Sequence, residues 1–521
     1  MRHCTLADKN KIVRLSALSA GEQSSDIEHV AMCFGQFNVI HPGHLRYLKL
    51  ARSHGSKLVV AVEGDVNLST GHQSVSFPEM ARAEALEALE LVDQIVILDS
   101  GKLDDLVRII RPAALVLGKE YESEDLDIER KRKIASALTV LGEYGGEIFY
   151  EAGQIHYASG DIFRATQHDL EVERWKQFKA AVDHQGIDLK NLFERLEVAQ
   201  NRKLLVLGDT IVDSYIACDP IGMSNEAPVV VVKELESKDF LGGAAIVAAH
   251  VAALGAHCEF ISVVGIDDEA NLVRSKLIEA DVCANLAEDN SRPTTFKIRY
   301  LVENQKLFRV SRLNEHSLSK KIEDKLIDQI YDLAPSLDGI LVSDFVYGVV
   351  TPKVIQALKE SAKRYNLPIF GDVQCSSQLG DVSKFTNFTL ISPTEREARV
   401  ALNNQDDGVE HVVNLLMEKT LASNCVMKLG AAGFIVYGGQ NSDGSRMREH
   451  FPALNANPID VTGAGDSMLA AMSVALTCKL TIMEAAALAC CMCAIAVETV
   501  GNLPITYAKL REYIKSKGVH V

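Results

Sequence analysis

The sequence has no run approaching ~20 uninterrupted apolar residues, so it offers no candidate membrane-spanning segment. It also lacks an excess of positive charge. With 54 Lys+Arg against 70 Asp+Glu the formal net charge is −16, which argues against nonspecific binding to nucleic acid or anionic membrane. A local basic pocket for phosphates remains compatible with that balance. The opening stretch, MRHCTLADKNKIVRL, carries no apolar core of the kind a secretory leader needs. Eleven cysteines are present, but their spacing shows no pairing. Cys490, Cys491 and Cys493 sit in LACCMCAIAV, an apolar run that reads as a buried helix, where cysteine acts as a small hydrophobe. These absences place the expected protein in a reducing cytoplasm. Aromatic residues are few, and Trp175 is the only tryptophan.

What is there is the composition of a globular protein, 47% hydrophobic and 24% charged over 521 residues, long enough for two or three domains. Residues 1–28 are polar and without period, an expected N-terminal extension that packs loosely or frays. From Val30 onward strands and helices alternate. VAMCF, KLVVAV, QIVIL and AALVL are short β-rich runs, and HLRYLKLARSHG, PEMARAEALEALELV and KLDDLVRII between them have helical period. This predicts a Rossmann-like, doubly wound parallel sheet over residues 29–165, with ligands at the carboxyl ends of its strands. Residues 166–200 are charged and helical in period, a predicted linker with Trp175 as an anchor. A second alternating pattern fills residues 201–521, with KLLVLGD, EFISVVG, GILVSD, PIFGDV, FTLISP, CVMKLG and GFIVYGG as strands. PVVVV and TTFKIRYLVENQKLFRV look instead like antiparallel strands of a small β-lid.

The stretch GQFNVIHPGH, residues 35–44, joins the first strand to a helix. A strand, a glycine-containing turn and a helix start make an anion site, because free amides and the dipole end favour phosphate. His41 and His44 can donate hydrogen bonds to phosphate oxygens, and Gly43 allows close approach at the turn. Two histidines with no third ligand at a suitable spacing do not make a zinc site. The stretch resembles the HxGH signature of the nucleotidyltransferase family that includes the cytidylyltransferases. The resemblance spans residues 30–163, and FPEMARAEALEALELVD and VLGKEY resemble the family's arginine and lysine-glycine segments. It implies a nucleotide site made of Gly35, Phe37, His41, Gly43, His44, Arg82 and Lys119, with Ser159 in YASGDIF as the match to a late segment contacting the triphosphate. Asn38 stands where the family usually has Asp.

DVTGAGDS, residues 460–467, is the most specific signal in the chain. Gly463, Ala464 and Gly465 open a long apolar helix, so their amides can form an oxyanion pocket for a transferring phosphoryl group. Asp466 is placed to take the proton from an attacking hydroxyl. A tight turn with an aspartate at the helix N-terminus would present the same letters. LGDTIVDSY places Asp209 and Asp213 just after a strand, and FLGGAAIVAAHVAALG sets Gly242 and Gly243 before a helix. This set resembles the ribokinase-type (PfkB) sugar kinases over residues 202–515, closest to their heptose-phosphate branch. The resemblance implies Asp466 as base, Gly463 to Gly465 as anion hole, and Asp209, Asp213, Gly242 and Gly243 around the sugar. Lys428 and Gly430 resemble a nucleotide-side turn, and Glu397 in SPTEREA matches a glutamate that organises Mg²⁺ indirectly. Thr394, Ile246 and Gln374 stand where that branch has Asn, Asn and Lys. Arg299, Arg309 and Arg312 lie on the candidate lid strands, where they can clamp a sugar phosphate bidentately or simply form an exposed strand face.

The two resemblances together are those of bifunctional heptose-phosphate kinase and nucleotidyltransferase enzymes, with the halves here in reversed order. They imply Mg²⁺, ATP as phosphoryl donor, and ATP or CTP as nucleotidyl donor. The partners implied are small-molecule sugar phosphates and nucleoside triphosphates, in a homodimer with no nucleic acid or membrane partner. Two alternatives stay open: a cytidylyltransferase and kinase for another sugar or a polyol phosphate, and a chain in which one half serves only for binding or assembly.

Overall fold

The first strands are near-continuous apolar runs, so both faces of their sheet must be covered. In the computed structural model they are. It describes residues 11–18, 29–38, 40, 42–67, 77–99, 102–118, 128–151, 167–226, 229–302, 305–374, 380–440 and 446–518. The chain divides into two compact units, Met1–Thr166 with Asn404–Leu415, and Gln167–Asn403 with Leu416–Val521.

In the first unit the described strands are β1 (Ile12–Arg14), β2 (Val30–Gly35), β3 (Lys57–Glu63), β4 (Gln94–Leu98), β5 (Ala114–Gly118) and β6 (Glu147–Glu151). They form one parallel sheet in the order β1-β4-β3-β2-β5-β6. Helices α1 (Pro42–Ser53), α2 (Glu79–Glu87), α3 (Leu103–Ile110) and α4 (Ile128–Glu143) alternate with the strands. Met32, Val59, Val96 and Leu115 face one core with Leu106 of α3 and Val140 of α4. Ala31, Val60, Ile95 and Val116 face the other, with Tyr47 of α1 and Leu86 of α2. Period two in the strands and period 3.6 in the helices meet in two apolar layers, the doubly wound arrangement that the alternation predicts. One part of residues 1–28 departs from a loose extension. Ile12–Arg14 pairs in parallel with β4 and closes the sheet edge, in a strand too short to show a period.

The second unit begins with α5 (Gln167–His184) and α6 (Leu189–Leu196). Over residues 167–200 two α-helices are followed by a 3-10 turn, and they do not stand off as a bare tether. Phe178, Leu192, Phe193 and Leu196 are buried in the core of this unit. Its remaining strands are β7 (Lys203–Gly208), β8 (Thr210–Met223), β9 (Val230–Gly243), β10 (His257–Val264), β11 (Val282–Glu288), β12 (Thr295–Val302), β13 (Gln305–Arg312), β14 (Gly339–Asp344), β15 (Ile369–Val373), β16 (Leu390–Ile391), β17 (Asn424–Lys428), β18 (Phe434–Gln440) and β19 (Arg446–Phe451). The later helices are α7 (Ala244–Ala253), α8 (Asp268–Glu279), α9 (Lys320–Leu333), α10 (Pro352–Tyr365), α11 (Glu395–Leu402), α12 (Val409–Thr420), α13 (Ala464–Thr477), α14 (Ile482–Ala496) and α15 (Tyr507–Ser516), of which α12 falls up to Leu415 in the first unit.

Among the described residues the body sheet runs β11-β10-β7-β14-β15-β16-β17-β18-β19, parallel except for the last two pairings. A second sheet, β13-β12-β8-β9, forms the lid. Its strands are not all antiparallel, as the sequence suggested. β8 pairs with β12 in parallel, because the chain returns from the body between them and re-enters the lid in the same direction. α7, α13 and α14 are rich in alanine and buried on nearly every side, including Cys490 and Cys491, so these cysteines pack as small apolar groups. Among the described residues no helix is long and apolar enough to cross a membrane.

Candidate functional site

In the first unit the turn after β2 is shaped by packing. A Cβ on Gly35 would lie 3.1 Å from the Phe37 ring. Phe37 has φ 50 and is buried, with its ring 5.3 Å from that of His44 and 6.4 Å from that of Tyr47. The Phe37 side chain is thus taken up by packing. Gly43 lies in the first turn of α1, and His44 is buried at its start.

Arg82 departs from its expected role as a phosphate ligand. Its side chain is fully enclosed and donates to the carbonyls of Phe77 (2.9 Å) and Gln36 (2.6 Å) and to Asp65 Oδ1 (2.7 Å). It braces the loops at the ends of β2 and β3. Asn38, the residue that departs from the family pattern, accepts the Phe77 N–H at 2.7 Å and helps in that brace. His41, Lys119 and Ser159 lie outside the described residues.

In the second unit a cavity of about 650 Å³ lies between the lid and the N-terminus of α13. Gly463, the N-cap, has φ 80, and a Cβ there would lie 2.2 Å from Asn502 Oδ1. Glycine is required twice over. Gly463, Ala464 and Gly465 line the cavity, and the amides of the first helical turn have no intrahelical acceptor. Asp466, in that first turn, is buried and lines the cavity with them. Burial, then the Asp372 carboxylate, raises its pKa to about 7 against the pull of Lys428, while Asp213 raises it further and a hydrogen bond from Gln374 opposes. Gln374 Nε2 donates to Asp466 Oδ1 at 2.6 Å. A carboxylate poised near neutrality is suited to accept a proton from a hydroxyl.

Around this centre the predicted residues divide. Lys428, at the end of β17, donates to Asp372 Oδ1 at 2.7 Å, and Asp372 also accepts from Ser392 Oγ at 3.0 Å. Burial opposes the Lys428 charge, but the carboxylates of Asp372 and Glu397 outweigh it and hold its pKa above the usual lysine value. Glu397 lines the cavity and forms a capping box with Thr394, whose backbone N–H it accepts at 2.8 Å. Gly430 lines the cavity with φ 62 and open space beside it. Ile246, at a position where polarity was expected, is fully buried in α7.

Asp213 lies inside β8, not just after a strand, and forms an ion pair with Arg299 of β12. Asn502 Nδ2 donates to it at 3.3 Å, and a Cβ on Gly242 would collide with its Oδ2. Gly243, with φ 61, caps α7 at the cavity wall. Arg309 of β13 stands opposite Arg299 in register, and both line the cavity. Arg312 does not line it; Arg312 pairs with Glu269 at 3.8 Å. Asp209 does not line it either. Its carboxylate accepts backbone N–H groups of Phe345 (2.8 Å), Tyr347 (3.3 Å) and Val349 (3.2 Å), so it holds that loop instead of touching a sugar. Burial, with the nearby Asp344 carboxylate, pushes its pKa up to about 7.

Sequence reading missed three residues here. Asp372 becomes visible only as the partner of Lys428, from a strand 56 residues away. Asn502, in the loop before the last helix, donates to Asp213 and packs beside Gly463. Lys297 of β12 is 3% exposed and lines the cavity, with its ammonium 5.3 and 5.2 Å from the ring centres of Phe345 and Tyr347. Among the described residues it has no carboxylate partner, which leaves its charge directed at whatever enters. The signal in the sequence is period two: Lys297 and Arg299 share one face of β12.

The pfkB family carbohydrate kinase profile matches residues 201–505, more than half of the sequence. The chain belongs to that family. Residues 32–147 match a second profile, described as cytidylyltransferase-like. Two curated relatives are both called bifunctional protein HldE. The one from Campylobacter jejuni is 32% identical over 318 residues, 60% of this chain and 65% of that protein. The one from Trichlorobacter lovleyi is 31% identical over 326 residues, 62% of this chain and 64% of that protein. The chain thus spans less than two thirds of the relatives it matches. Phosphofructokinase-2 from Escherichia coli shares the kinase fold at 17% identity, with a TM-score of 0.51 over 61% of this chain and 99% of that one.

Proposed function

We propose that the chain is a bifunctional enzyme of sugar-nucleotide synthesis, in which the pfkB half phosphorylates a sugar phosphate with ATP and the first half transfers a nucleotidyl group from ATP or CTP to a sugar 1-phosphate. The observation that carries the kinase reading is Asp466, a buried carboxylate at the head of α13, in one cavity with the lid cations Lys297, Arg299 and Arg309. The cations face the sugar and favour a substrate that already bears an anionic group. Asp466 accepts the proton of the attacking hydroxyl as its oxygen bonds to the γ-phosphorus, and ADP leaves with the electrons of the broken P–O bond. The amides of Gly463 to Gly465 and the Lys428 ammonium meet the charge on the transferring group.

Mg²⁺ supplies charge neutralisation on the phosphates when bound. The donor set suits a cation that arrives with the nucleotide: among the described residues no cluster of three candidate ligands is present, and Glu397 is a cavity carboxylate able to hold it through water. In the first half the oxygen of a sugar 1-phosphate attacks the α-phosphorus and pyrophosphate leaves, with His41 and His44 meeting the charge on it. The assembly this reading favours is a cytoplasmic homodimer acting on small molecules.

A panel of sugars and sugar phosphates incubated with ATP or CTP, read by product mass, tests the assignment. Gain of one phosphoryl group on a sugar phosphate, followed by nucleotidyl transfer to the product, is expected. A panel in which ATP is never consumed against a sugar would sink the kinase reading, and consumption of neutral sugars alone would sink the role given to the lid cations.

A further inference from the structure

The family match begins at residue 201, yet one wall of the kinase cavity is fastened from before that point. Arg174, on α5, lines the cavity and donates to the carbonyls of Ala453 (2.9 Å) and Asn455 (2.5 Å). Those carbonyls belong to an irregular segment after β19, and an irregular segment at a cavity wall needs outside partners for its backbone.

The helix is locked in place to do this. The Trp175 ring stacks on Phe178 at 4.9 Å, Phe178 meets Phe451 at 6.4 Å, and Phe451 stacks on Phe434 at 5.6 Å. Phe434 lines the cavity itself. At the end of α5, His184 and Gln185 both reach Glu449, at 2.5 and 2.8 Å.

This end of the cavity differs in chemistry from the lid end. Beside Arg174, whose guanidinium is engaged by carbonyls, Gly430, Ala431, Phe434, Leu454 and Ala494 supply largely apolar lining, whereas the lid carries Lys297, Arg299 and Arg309. A planar base suits the first and an anionic sugar the second.

We propose that Arg174 is a positioning residue for nucleotide binding in the kinase half, so that the nucleotide site is complete only with helix α5, outside the segment covered by the family match. The ligand class is a nucleoside triphosphate with its base against the wall that Arg174 holds; this assignment of ends rests on the kinase reading above.

Trp175 is the only tryptophan in the chain and adjoins Arg174, so its fluorescence reports this site in the full-length protein. Titration with ATP is expected to change the emission with a midpoint about tenfold weaker in Arg174→Ala. Arg174→Lys, able to reach one of the two carbonyls, should fall between, and it carries the test if the alanine variant does not fold. Kinetic assays with a sugar phosphate should show the same rise in KM for ATP, with kcat and the sugar's KM within twofold of the unsubstituted chain. An unmoved ATP midpoint in both variants overturns the proposal, as does an emission insensitive to saturating ATP or a shift confined to the sugar's KM. If no sugar is phosphorylated but the ATP midpoint moves as described, the kinase reading fails and the role of Arg174 stands.

Discussion

At the scale of single residues, the kinase chemistry proposed above turns on how Asp466 is kept near its point of ionisation. Burial and the neighbouring Asp372 carboxylate raise it to about 7, and only the ionised form can accept a proton. The sign follows directly. Phosphorylation by the kinase half should rise about tenfold per pH unit below 7 and level off above it. Gln374 works in the opposite direction to burial, since its N–H favours the charged carboxylate. Gln374→Leu removes that hydrogen bond, and about 1.5 kcal/mol of lost stabilisation moves the rising limb of kcat/KM up by roughly one pH unit. Rate profiles of both proteins between pH 5 and 9 check this. A limb that stays in place on Gln374→Leu means that the glutamine serves another purpose, such as contact with the transferring phosphoryl group. The position thus carries a neutral hydrogen-bond donor where the resembling branch has lysine, and the physical effect on the base is the same in direction but smaller.

At the scale of elements, the start of α13 is held from several sides. Asp460 accepts from Lys306 of β13 (2.7 Å), Tyr215 of β8 (2.7 Å) and the N–H of Thr462 (3.0 Å), which ties two lid strands to the turn that delivers Gly463. Burial works against the Asp460 charge, but these donors outweigh it and hold the carboxyl at about 2, so the tie persists across the working pH range. Gly463→Ala attacks the same turn. A left-handed conformation costs a residue with a Cβ about 1–2 kcal/mol, and the new methyl collides with Asn502. The helix start must shift, and the amides aimed at the phosphoryl group shift with it. A loss of about 10²-fold in kcat with an unchanged circular-dichroism spectrum is expected, and a variant retaining full kcat would show that these amides do not stabilise the transferring group. This is also the scale at which sequence reading was strongest. Gly463 to Asp466, the alternation of strands and helices, and the Gly242-Gly243 turn are local patterns, and local patterns are what periodicity and turn chemistry expose. Asp372, Lys297 and Asn502 were hidden because their meaning lies in partners far along the chain. Asp209 and Arg82 were read as ligands for a related reason: a charged residue beside a motif looks the same whether it faces a substrate or braces a loop.

At the scale of the whole molecule, the proposed function has two phosphate chemistries share one chain but not one set of groups. The kinase half needs a base and an anion hole, because its nucleophile is a neutral hydroxyl that must lose a proton. On the same proposal the first half needs no base, because a sugar phosphate oxygen is already ionised near neutral pH; its demand is for donors that meet the charge of departing pyrophosphate. The two sets of residues are accordingly different in kind, a carboxylate in one and histidines in the other, and they lie in separate compact units. Substitutions should therefore separate the activities. Asp466→Asn keeps the volume and the Gln374 neighbour but removes the proton acceptor, and phosphorylation should fall by 10²–10⁴-fold while pyrophosphate release from a supplied sugar 1-phosphate is unchanged. His41→Ala with His44→Ala should lower pyrophosphate release by about 10²–10³-fold and leave phosphorylation intact. Both rates are measured on each protein with the opposite reaction as internal control. A variant that loses both activities together would mean that the halves depend on each other for more than substrate supply, and one that leaves its own reaction untouched removes the role assigned to it.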